Sequence, residues 1–350
     1  MFRLLLFILS FSLGYAADAQ EGWMKIESGG VNPAPRRGAV GIVDAEQTRL
    51  VFHGGEAPGA LFFSETWVYD LKTQEWNSLV ISNPPARCHH TFLQALSGET
   101  AILFGGFPRT NELWQWDNLS GSWTDITPLT NNPAPRCLHS GVLDKRNNRM
   151  IVYGGLNGGF TPDLNDLWAL DLSSRQWKRT GENQPPGFRY GHVAAMDETG
   201  NRMILFGGFM RNRENQLVNA GDTWIFDFNT QQWSMLNELN ASPSPRQFAQ
   251  GVNLPNGKGM ILFGGLTDAG YQNDLWFFRY EDLTWHPIEL NGTKPEPRFR
   301  HTLIMNEAEN ELILAFGAGN NNVHYADLWR LKVDLPDIQD ESGVMDWAKR

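Results

Sequence analysis

Six copies of one pattern run through the chain at intervals too regular to be separate domains, and that period constrains its fold more than any other feature. A β-rich apolar run ends in a glycine doublet at LVFHGG (50–55), ILFGG (102–106), MIVYGG (150–155), MILFGG (203–208) and MILFGG (260–265), with an imperfect copy, LILAFGA, at 312–318. First glycines fall at 54, 105, 154, 207, 264 and 317, so the steps are 51, 49, 53, 57 and 53 residues. An acidic residue two before a tryptophan follows each time: Glu65, Glu112, Asp166, Asp222, Asp274 and Asp327 precede Trp67, Trp114, Trp168, Trp224, Trp276 and Trp329. Five copies add a second tryptophan nine residues later, at Trp76, Trp123, Trp177, Trp233 and Trp285. A proline-rich turn with an arginine then opens the next copy, at Arg36, Arg87, Arg136, Arg189, Arg246 and Arg298.

Each period holds four short apolar runs parted by Gly, Pro and Asn turns, with too little chain left for a helix. One supersecondary unit repeated six times is therefore expected, all-β, with neighbouring copies burying one another's faces. The last copy lacks its second tryptophan. The missing strand stands at the other end of the chain, at Gly22-Trp23-Met24-Lys25-Ile26, so residues 22–27 are predicted to complete the sixth unit and close the ring.

These motifs resemble the Kelch-repeat family, over roughly residues 22–333. The resemblance implies a six-bladed β-propeller at 20–335 and a role as an interaction platform. Fold does not determine activity, so the functional step is an analogy.

The ends read differently. Residues 1–19 combine a basic start, an apolar run and an Ala-Asp-Ala pattern, which predicts a signal peptide cleaved before Gln20 and a secreted or periplasmic protein. The apolar run is too short to span a bilayer, and residues 336–350 are left as a polar tail. A net charge of −10 leaves no basic stripe for nucleic acid. Two cysteines are too few for a disulfide scaffold or a Cys-based zinc site. No cofactor is called for, and a monomer is expected.

The repeated arginines suggest either a positive ring for an anion or six structural Arg–carboxylate pairs tying turns to blades, with the second reading preferred. His90, His139, His192 and His301 each follow a repeat arginine by three residues and are read as core histidines rather than metal ligands. Cys88 and Cys137 share a slot in adjacent copies and form a candidate disulfide, with two buried thiols as the alternative because inner strands of separate blades are not hydrogen-bonded neighbours. Function is expected where the repeat breaks, in the loops after the glycine doublets. Candidates there are Phe160, Arg211, Arg213, Glu214, Tyr271, His324 and Tyr325, aromatics beside polar groups that suit a protein segment or a glycan. An alternative is a carbohydrate-active enzyme on the same scaffold, resembling a sialic-acid mutarotase, with Glu214 as acid/base and Arg211 or Arg213 holding a substrate carboxylate.

Overall fold

The structure is a computed structural model that describes residues 22–79, 84–157, 164–181, 186–212, 214–237, 241–333 and 345–346. Six antiparallel four-stranded blades are arranged about one axis. Blade one is Val40–Val43, Arg49–His53, Thr66–Asp70 and Glu75–Leu79, named strands a to d from the centre outwards. Blades two to five repeat the order, with inner strands Thr91–Gln94, Ser140–Asp144, Val193–Asp197 and Gln250–Asn253. Each inner strand lies against the inner strands of both neighbours, the first against the sixth included, so the ring is closed. Apart from one 3-10 turn at Asn320–Asn322, the described residues contain no helix.

Blade six is built from both ends of the chain, as the tryptophan count anticipates. Its strands Thr302–Asn306, Glu311–Ala315 and Leu328–Lys332 are completed by Met24–Ile26, which pairs Met24 with Arg330 and Ile26 with Leu328. Trp23 fills the second-tryptophan slot, 4% exposed and packed on Phe263 at 5.4 Å. Truncating so large a buried ring leaves a cavity, so Trp23→Ala is expected to cost about 3–5 kcal/mol, as much as Trp285→Ala. Paired urea denaturation curves check it. Equal stability of Trp23→Ala and the unaltered chain would show that this strand does not hold the ring shut.

The leader expected at residues 1–19 lies outside the described residues. Of the tail, Met345–Asp346 pairs in parallel with Ile288 and Glu289 at the outer edge of blade five.

The sixth copy is also sharper in space than in sequence. The first-glycine slot is held by Phe316, at φ 61°, and Gly317 occupies the second. The Arg298 guanidinium reaches the Phe316 carbonyl at 2.9 Å, just as Arg136 reaches that of Gly154 at 3.0 Å. The spacing from arginine to doublet is thus 18 residues in all six copies.

Candidate functional site

Strand direction puts the proline-rich d–a turns and the b–c loops on one face, here called the upper face. Every repeat arginine is buried there beneath its own turn, at most 2% exposed. Bidentate pairs join Arg136 to Asp166, Arg189 to Asp222, Arg246 to Asp274 and Arg298 to Asp327, at 2.6–2.9 Å. Arg36 meets Glu65 through one contact at 2.9 Å, and Arg87 pairs with Glu112. The indole N–H of the following tryptophan donates to the same carboxylate in all six blades, at 2.6–3.0 Å. Each repeat arginine thus spends its charge on its own blade's carboxylate, which makes the set a structural one.

The four histidines are wedges between blades. His139, His192 and His301 stack edge-on against Phe104, Tyr153 and Phe263 of the preceding blade, and His90 does so against His53, at 5.2–5.5 Å. Burial holds all of them neutral, with His192 and His301 lowered to about 3.

Above them the channel is shut. The second residue after each repeat arginine adopts a left-handed conformation, φ 52–66°, at Gly38, His89, Leu138, Gly191, Phe248 and Arg300. Each donates its amide to the carbonyl of the ring neighbour, at 2.7–3.1 Å, and the six bonds close a circle about the axis. Below the circle lies a cavity of about 660 Å³, lined by the four histidines and crossed at its lower end by the Lys145–Glu307 ion pair at 3.3 Å. The upper mouth is therefore a shallow, floored pocket.

Its floor has two halves. On one side Phe248 and Phe299 are buried together with Ala318, and Leu138, Tyr190, Leu266 and Tyr271 pack against them. On the other, Arg37 donates to Glu56 at 2.6 Å, and Arg300 lies 3.3 Å from the same oxygen and 3.2 Å from His89 Nε2. Despite burial, which alone would raise it, contact with His89 and Arg37 holds the Glu56 carboxyl at about 2. Burial, helped by the Arg300 charge, lowers His89 to about 4, so it is neutral at physiological pH.

Glu56, Cys88 and His89 also bring potential metal-ligand atoms within 4.8 Å of one another. A metal does not suit them. Arg300 Nη1 stands between the Glu56 oxygen and the His89 nitrogen, where a cation would bind, and burial pushes the Cys88 thiol far up, so it stays protonated. The candidate disulfide is corrected: Cys88 and Cys137 are free, buried thiols. Cys88 faces Glu56 of blade one, whereas the Cys137 sulfur is turned to the Leu156 carbonyl of its own blade, 3.8 Å away.

The loop candidates fare unequally. Tyr271 stacks on Phe299 at 5.1 Å, within the mouth. His324 is buried, its ring bonded to the Asn322 carbonyl at 3.1 Å, and burial lowers its pKa. Tyr325 lies instead over the repeat arginine Arg298, 4.1 Å from its ring centre, a supporting role. Arg211 and Glu214 sit on an exposed hairpin, where Arg211 bonds the Asn215 carbonyl at 3.1 Å across the turn. Phe160 and Arg213 lie outside the described residues. Arg37, Glu56, Phe248, Phe299 and Arg300 escaped the sequence reading. Four of them occupy the two slots after a repeat arginine, where the copies differ most.

Comparison with known proteins settles the family. The model of the KLHDC2/KLHL20/DRC7 Kelch-repeats domain matches residues 15–181, 90–252 and 178–336. The chain belongs to the Kelch-repeat family. This Kelch chain is 26% identical over 323 residues to Adagio-like protein 1 of Oryza sativa subsp. japonica, covering 85% of the chain and 50% of the relative. It is 26% identical over 358 residues to the host cell factor homolog hcf-1 of Caenorhabditis elegans, covering 89% and 44%. The chain thus spans about half the length of these curated relatives. Among solved structures it resembles YjhT, with a TM-score of 0.64 and 15% identity over 85% of this chain and 95% of that one, a likeness of fold. Kelch propellers generally serve as protein-interaction modules. No helix among the described residues is long and apolar enough to cross a membrane.

Proposed function

We infer that this Kelch propeller is a binding module, exported by the segment 1–19 and acting as a monomer, which seats a protein segment on its upper face over the floored mouth. One observation carries the reading. Exposed apolar side chains stand on the loops of that face: Leu61 at 61%, Val323 at 48%, Leu217 at 44% and Phe188 at 40% exposure, in the first, sixth and fourth blades. Apolar tips around a pocket with charge at its centre are the usual composition of a protein docking site.

The carbohydrate-enzyme reading has less support. Glu214 is solvent-exposed on its hairpin, and Glu56, the carboxylate within the mouth, is ionised far below neutral pH, which suits it poorly as a general acid. A glycan ligand remains compatible with the aromatic half of the floor.

The test uses the two faces against each other. Peptides selected on the folded chain are expected to lose binding to a Leu61→Asp/Leu217→Asp variant and keep it with Leu119→Asp, whose side chain is 97% exposed on the opposite face. The reverse pattern, or stabilisation of the chain in a thermal-shift screen only by monosaccharides, would replace the protein segment by a sugar or move the site.

A further inference from the structure

We propose that Asn291 is a self-modifying site: its side-chain amide is lost to attack by the backbone nitrogen of Gly292, and the isoaspartate formed loosens the strand that closes the ring. The reaction needs only hydroxide and water, and it does not depend on what the upper face binds.

The chemistry sets the conditions. The Gly292 amide nitrogen gives up its proton to hydroxide and attacks Asn291 Cγ. The N–Cγ bond forms, the Cγ–Nδ2 bond breaks, and the side-chain nitrogen leaves as ammonia. Water then opens the five-membered imide at either carbonyl, giving aspartate or isoaspartate. The attack requires a following residue without a Cβ in the way, a side-chain amide free to turn, and a backbone N–H not already held in a hydrogen bond.

Asn-Gly occurs at 157–158, 256–257 and 291–292. Gly158 lies outside the described residues, which leaves two sites to compare. At Asn256 both partners are held. Its Oδ1 accepts the Lys258 amide at 3.0 Å, and Gly257 donates its own N–H to the Leu254 carbonyl at 3.0 Å, closing the turn between the inner two strands of blade five. Asn291 and Gly292 have neither restraint. Both are exposed, in the connection between Thr284–Glu289 and the turn of Arg298. Neither the Asn291 side chain nor the Gly292 N–H has a hydrogen-bond partner among the described residues. Gly292 stands in open space at φ 82°. Structure, not sequence, separates the two sites.

Position gives the reaction its consequence. The Asn291 backbone carbonyl lies directly against Gly22: a Cβ on that glycine would stand 2.4 Å from its oxygen. Gly22 leads through Trp23 into the closing strand Met24–Ile26. Isoaspartate routes the main chain through the former side-chain carbon, lengthening it by one methylene, and turns this carbonyl into a charged carboxylate. A backbone contact so close accommodates neither change, so the start of the closing strand has to move away.

The test follows the folded, bacterially produced chain through incubation at mildly alkaline pH. Peptide mapping by mass spectrometry reads the amide-to-acid conversion, and an isoaspartyl methyltransferase identifies the isoaspartate. The Asn291 peptide is expected to convert several-fold faster than the Asn256 peptide in the folded chain, and the two should converge in urea, where neither turn exists. Equal rates in the folded chain, or a rate ratio that unfolding leaves unchanged, overturn the site. The isoaspartate form, separated by anion exchange on its added charge, should unfold at a lower urea concentration than the unreacted chain. Asn291→Gln, an exposed change that blocks the five-membered route, should start at the parent midpoint and keep it through an incubation that lowers the parent's. If the isoaspartate form unfolds with the parent, or Asn291→Gln weakens in step with it, the link to the closing strand is overturned.

Discussion

Unfolding by acid should begin only slightly below neutrality and be steep. Six histidines, His53, His89, His90, His139, His192 and His301, are buried in the ring, and burial lowers the pKa of every one, to about 3 or 4 where the shift is defined. The folded state therefore binds these protons less readily than the unfolded state, whose histidines titrate near 6.5. The stabilisation is complete above that pH, declines as pH falls through 6.5, and is exhausted only below the folded values. At pH 5.5 each histidine contributes a loss of about 1.4 kcal/mol, or about 8 kcal/mol for the six. A domain of ordinary stability has about 5–15 kcal/mol in hand. Urea midpoints at pH 7.5, 6.5 and 5.5 should fall with accelerating steps, and His192→Gln should remove about one proton from the slope. A flat profile between pH 7.5 and 5.5 would mean that the histidines are protonated in the fold, and the wedge assignment would fail.

The depressed carboxyls extend the same trend to lower pH. Glu65, Asp166, Asp222 and Asp327 are held below the usual range by their arginine and tryptophan partners, although burial opposes this. Their contribution is present above about pH 4 and is lost as pH falls further. Acid sensitivity near pH 6 is therefore the histidines' signature, distinct from that of the ion pairs.

The same repetition that made the scaffold legible hid the site. The arginine, the carboxylate and the two tryptophans recur because each blade must make the same contacts with the next, so their spacing alone reveals ring, strand order and closure by Trp23. The mouth is composed of what does not recur. Arg37, Phe248 and Arg300 stand in slots immediately beside the repeated arginines, where six different pairs occur, and no period marks them. Their left-handed backbone was invisible as well. Only two of the six ring positions are glycines, and the other four adopt a positive φ with side chains attached, held by neighbour-to-neighbour hydrogen bonds that exist only in the closed ring. The loop 209–222 supplied the candidates Arg211, Arg213 and Glu214, yet Arg211 and Glu214 are exposed on its hairpin, as is the apolar Leu217.

The arginine triads predict the largest effect of any single substitution in the scaffold, and the size should differ between blades. Arg136 is fully buried and donates to both oxygens of Asp166 and to the Gly154 carbonyl, at 2.8–3.0 Å. Arg136→Ala leaves an acceptor carbonyl and a mostly buried carboxylate without their main donor, for an expected loss of about 3–5 kcal/mol. Arg136→Lys should recover little, because one ammonium cannot fork across two oxygens and a carbonyl. Arg36→Ala should cost less: its partner Glu65 is joined by one contact and its side chain is 42% exposed, so water can replace the arginine. The double substitution Arg136→Met/Asp166→Leu should be milder than Arg136→Ala alone, since no unpaired charge is then left behind. Chemical denaturation of the four variants decides the matter. If Arg136→Ala is as stable as the parent chain but loses the selected peptides, the arginines form an anion-binding ring after all; if the double variant is the least stable, the pairs contribute net attraction beyond mutual neutralisation. The expected order, Arg136→Ala below the double variant and Arg36→Ala above both, would make the triads the foundation under the d–a turns, and so the reason the six ring residues of the mouth keep their left-handed backbone.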